Sequence, residues 1–84
     1  MVVKFRVRLL WPNAPDIHQS RNFAEDMLYR FERAGTGRIE NLDTMIDEFF
    51  VIVDNRRLLG KVQEQMRKAI DEFRKDVSIE VERL

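Results

Sequence analysis

A single histidine, His18, and no cysteine at all leave this 84-residue chain without the ligand spacing of a metal site and without a nucleophile–base pair. His18 reads as a surface residue in the first turn of a helix. Gly35-Thr36-Gly37 resembles a phosphate loop only superficially, since it follows a helical stretch and precedes an extended one. A phosphate loop needs the reverse order, because the phosphate rests on a helix amino terminus. The triplet is therefore a helix cap and turn. Trp11, beside Pro12, carries a ring suited either to stack on a ligand or to close the end of a small core. Arg56 and Arg57 are more suggestive: they fall in the first turn of the second helix, where the macrodipole and unpaired amides favour negative charge. A bound anion would account for them, and so would pairing with Asp16 or Asp54, or simple solvation.

The elements that position these residues follow from periodicity. Val3, Phe5, Val7 and Leu9 alternate with Lys4, Arg6 and Arg8, the period of a strand with one apolar face. Pro12 and Pro15 end it. Asp16 with Gln19 makes a capping box, with Ser20 as a second cap if the helix begins late. Ala24, Met27, Leu28, Phe31 and Ala34 then keep helical spacing up to Gly35, so the first helix starts between Ile17 and Arg21 and stops at Ala34. A hairpin follows, with a short strand near Gly37 to Asn41 and a longer one near Met45 to Val53. Asp54 or Asn55 caps a second helix whose stripe is Leu59, Val62, Met66, Ala69, Ile70 and Phe73, and Val77, Ile79 and Val81 alternate with Ser78, Glu80 and Glu82 in a last strand.

Strand, helix, strand, strand, helix, strand is the order of the ferredoxin-like α+β sandwich: a four-stranded antiparallel sheet with both helices on one face. Residues 1–84 then form a single domain, too short for two cores. The last strand lies beside the first, so Lys4, Arg6 and Arg8 stand opposite Glu80 and Glu82 on the helix-free face. The first and third strands are expected to be central neighbours running parallel, which brings the loop from Trp11 to His18 and the turn from Asp54 to Arg57 to the same end of the sheet. On that placement Trp11, Asn13, Asp16, His18, Asn55, Arg56 and Arg57 make up the candidate anion or ligand site.

Composition bounds the function. Residues are 44% hydrophobic and 36% charged, as in a packed domain with a solvated surface. Fifteen basic residues balance fifteen acidic ones, so no overall field favours nucleic acid or an anionic membrane. No run approaches the roughly 18 apolar residues of a membrane span, and the amino end shows no export signal. Without cysteines the fold relies on packing alone, which suits a reducing cytoplasm. No catalytic residues, metal or cofactor are expected.

The third strand is apolar on both faces at Phe49, Phe50, Val51, Ile52 and Val53, and helices cover only one face. Either Phe49, Val51 and Val53 or Phe50 and Ile52 point outward. With Leu10, the outward pair Phe50 and Ile52 gives a candidate dimer face, and a homodimer is the economical way to cover it. The alternative is a monomer whose long charged side chains lie over the patch.

The stretch from Gly35-Thr36-Gly37-Arg38-Ile39-Glu40-Asn41 through Phe49-Phe50-Val51-Ile52-Val53, with the closing Val-Ser-Ile-Glu-Val strand, resembles small uncharacterised bacterial proteins of ferredoxin-like type over about half the chain. The resemblance implies the fold and brings no activity with it. A non-enzymatic protein-interaction or regulatory module, including a toxin-neutralising one, is the function this reading favours. The alternative is a small-molecule or anion-binding domain, or a small enzyme, using the loops before the two helices.

Overall fold

The computed structural model describes residues 2–84. Alternation puts Val3–Leu10 in strand β1, with Val3, Phe5, Val7 and Leu9 buried and the basic residues between them half-buried. Helix α1 spans Ile17–Ala34. The Asp16 carboxylate accepts the Gln19 N–H at 3.1 Å, which settles the early start, and Gly35 closes the helix in the left-handed region at φ 63°. The Thr36 N–H then donates to the Phe31 carbonyl at 3.0 Å. β2 (Arg38–Glu40) and β3 (Glu48–Val53) are both shorter than expected, because residues 41–47 form a loop. That loop turns at Asn41 (φ 69°), whose side-chain amide donates to the Glu48 carbonyl, and it drives Met45 into the core.

Asn55 caps a single 3₁₀ turn, Arg56–Leu58, accepting the Arg57 N–H at 3.0 Å. Helix α2 follows at Leu59–Glu72, and β4 is Ser78–Arg83. The sheet order is β2-β3-β1-β4, every neighbouring pair antiparallel. Together with the two helices this is the ferredoxin-like sandwich. Its core lies between helices and sheet, where Phe23, Met27 and Phe31 of α1 and Val62 and Met66 of α2 meet Phe5, Val7, Phe49 and Val51. Phe49, Val51 and Val53 are therefore the helix-facing set of β3.

The expected parallel pairing of the first and third strands is incorrect. Val3 lies opposite Val53 and Arg8 opposite Glu48, so β1 and β3 run antiparallel. Connectivity demands this: β1 and β2 share a direction across the α1 crossover, and the hairpin then reverses β3.

Candidate functional site

Reversal of β3 divides the expected ligand site between the two ends of the sheet. Trp11, Asn13, Asp16 and His18 follow the last residue of β1, whereas Asn55, Arg56 and Arg57 sit beyond its first, about 25 Å away along eight residues of strand. The residues at each end also have local duties. Trp11 donates its indole N–H to Ser20 Oγ at 3.0 Å and meets Phe73 edge to face at 6.3 Å, closing the core as a plug. Asp16 is the α1 cap, and Asn55 caps the 3₁₀ turn. Asn13, His18, Arg56 and Arg57 are exposed. Asp54 pairs with Arg38 at 3.0 and 3.3 Å, and that hydrogen bond holds its carboxyl below the usual carboxylate range.

The helix-free face carries an ionic lattice wider than the expected ladder. Arg6 reaches Glu82 at 2.9 Å, and Arg8 bridges Glu48 at 3.2 Å and Glu80 at 3.7 Å. Lys4 turns the other way, to Glu40 at 3.4 Å, with its ammonium 4.5 Å from the centre of the Phe50 ring. Arg38 joins Glu40 to Asp54 across β2. Glu40 and Glu48 join the lattice from the hairpin, whose register only the folded sheet fixes, so the sequence alone does not reveal them as partners. Beneath the lattice Ile52, flanked by Lys4 and Arg38, keeps only 2% of its surface exposed, and Phe50 is half-buried. Leu10 is 44% exposed but pairs with Ser78 at the far end, separated from Phe50 by the Arg8 rung. The candidate dimer face Leu10, Phe50 and Ile52 is thus not one patch: Ile52 is buried, Phe50 lies half-buried under the Lys4 ammonium, and Leu10 stands apart.

An accessible apolar surface lies instead on the helix side of β4. Exposure rises from Val77, just before the strand (buried), through Ile79 (half-buried) to Val81 at 41%, where a groove separates β4 from α2. Val81, Phe5, Met66 and Ile70 line an apolar groove of about 210 Å³ between α2 and β4, with Gln63 and Arg67 at its rim. β4 is also an edge strand. The Leu84 N–H donates to the Lys4 carbonyl, so by alternation Glu82 and Glu80 bond to β1 while Ile79, Val81 and Arg83 turn their N–H and C=O groups outward. The sequence signal was present in the alternating Ile79, Glu80, Val81 and Glu82, but which edge stays open depends on the reach of α2.

A second depression, of about 440 Å³, runs between α1 and α2. Tyr29 stands in it 59% exposed, with the Arg33 guanidinium 5.6 Å from its ring centre. Arg30 beside them is bound to Asp26 and Glu72. Among the described residues no cluster of three or more potential metal ligands occurs, and no helix is long and apolar enough to cross a membrane. Comparison with family models, with curated proteins and with solved structures finds no match to this chain.

Proposed function

We propose that this chain is a non-enzymatic protein-interaction module that receives its partner along the outer edge of β4. The observation that carries this reading is Val81, a 41% exposed valine on an open strand, standing directly over an apolar groove. Outward backbone groups supply affinity to an added strand, and the groove supplies a pocket for its side chains. Ionisable groups with shifted affinities, such as Arg6, Asp54 and Asp76, sit in solvated ion pairs, an arrangement that serves structure. Cross-linked capture from cells with wild type, Val81→Arg and Tyr29→Ala tests the reading. A partner lost only with Val81→Arg supports it; one that survives Val81→Arg contradicts it.

A second reading, binding of a small anionic ligand, is favoured by one feature: exposed Tyr29 with Arg33 stacked on it in the α1–α2 depression. A thermal shift with phosphorylated metabolites that vanishes in Arg33→Ala supports it, and an unchanged melting curve removes it.

A further inference from the structure

We infer that the strand received by β4 alternates apolar and basic residues, in the manner of β1 itself. This inference deepens the proposed function and rests on β4 being the docking edge. β4 already holds one such strand on its inner side: β1 turns Phe5, Val7 and Leu9 to the helices and sets Arg6 against Glu82 and Arg8 against Glu80 on the free face. The outer side offers the same pattern. An added strand bonds to Ile79, Val81 and Arg83, whose backbone groups point outward, and so places one set of its side chains over the groove of Phe5, Met66 and Ile70. Its intervening residues then fall opposite Glu80 and Glu82, in the non-hydrogen-bonded positions where side chains approach most closely.

Both glutamates have room for a second cation. Their side chains are 53% and 51% exposed, each with one arginine from β1 and none from the open side. The same two residues oppose self-pairing. A twofold antiparallel pairing of β4 centred on Glu80, Val81 or Glu82 sets glutamate against glutamate in every case. Charge therefore favours a basic strand and disfavours the self-pairings that overlap most of β4.

The test uses a fluorescent peptide with the β1 sequence Val3–Leu10 and a counterpart with glutamate at its Lys and Arg positions, titrated against the full chain. The basic peptide should bind about tenfold tighter than the acidic one, with the preference shrinking in salt and in Glu80→Gln/Glu82→Gln. Val81→Pro removes an outward N–H and should abolish binding of the basic peptide while leaving the circular dichroism spectrum unchanged. Should that variant unfold, N-methylation of alternate peptide bonds, tested on the unaltered protein, carries the same prediction. Equal affinity for both peptides, or a preference for the acidic one, overturns the inference. If Val81→Arg still abolishes capture of the cellular partner, the interaction reading outlives that result. A wild-type mass twice the 10.1 kDa of the chain that halves in Val81→Pro would assign the edge to a second copy and overturn the basic-strand inference.

Discussion

The two edges of the sheet are built on opposite plans. β2 is three residues long, its Ile39 is half-buried, and Arg38 binds both Glu40 and Asp54 along it. Phe31 of α1 is fully buried beneath that side, against Gly37. β4 is twice as long and mostly exposed, and α2 leaves Val81 uncovered. Short length and charge are the ordinary means of blunting an edge. β2 uses both, whereas β4 is longer and relies on charge alone, Glu80 and Glu82 on one face and Arg83 at its end. The contrast teaches that how open an edge stays depends on what the neighbouring helix covers as much as on the strand's own sequence.

The comparison breaks most severely if the β2 side proves soft. Phe31→Ala should cost roughly 3 to 5 kcal/mol in urea denaturation, enough to unfold much of a domain this small, because it opens a cavity under β2. Gly37→Ala, where a Cβ would stand 3.2 Å from the Ile52 carbonyl oxygen, should cost about 1 to 3 kcal/mol, since the contact is with backbone. Gly35→Val faces open space, so its expected loss of about 1 kcal/mol comes from the left-handed φ of 63° alone. On the β4 side Val81→Ser should lower the unfolding free energy by no more than about 0.5 kcal/mol. A Val81 effect as large as that of Gly37 would erase the distinction between the edges.

Acid sharpens the same contrast. Asp54 and Asp76 have folded affinities held below the ordinary value of 3.8 by Arg38 and Arg74. Their contribution is present above that value and is lost as pH falls through the depressed range. Arg38→Gln should flatten the acid decline of stability. Amides of β2 should exchange faster as Asp54 is protonated, while those of β4 respond less.

Much of the fold was legible in the chain. The alternation of β1, the Asp16 cap and the Gly35 terminator each correspond to a local rule, and the observed boundaries follow them closely. The second helix departs from its expected start: Asn55 caps a 3₁₀ turn that holds Arg56 and Arg57, and α2 begins only at Leu59, without a side-chain cap, and stops at Glu72, just before Phe73. Sites depend on more than local rules. Arg56 and Arg57 invite an anion when read alone, yet strand direction decides what lies beside them, and β3 carries them away from Trp11 and His18. Phe50 and Ile52 read as sticky because a sequence shows the apolar pair and not the Lys4 ammonium over the Phe50 ring or the burial of Ile52 between its strand neighbours Lys4 and Arg38. The apolar face of β4 can be read from Ile79 and Val81, but the groove at Val81 cannot, because it is a gap between elements that no residue type announces.

Amide hydrogen exchange resolved along β4, in the free protein and with the β1-sequence peptide, tests the docking edge most directly. The outward amides of Ile79, Val81 and Arg83 should exchange quickly in the free protein while Glu80 and Glu82 are protected, and the peptide should slow the outward set alone. Uniform protection of β4 before any peptide is added, or outward amides that the bound peptide leaves unchanged, would contradict the account.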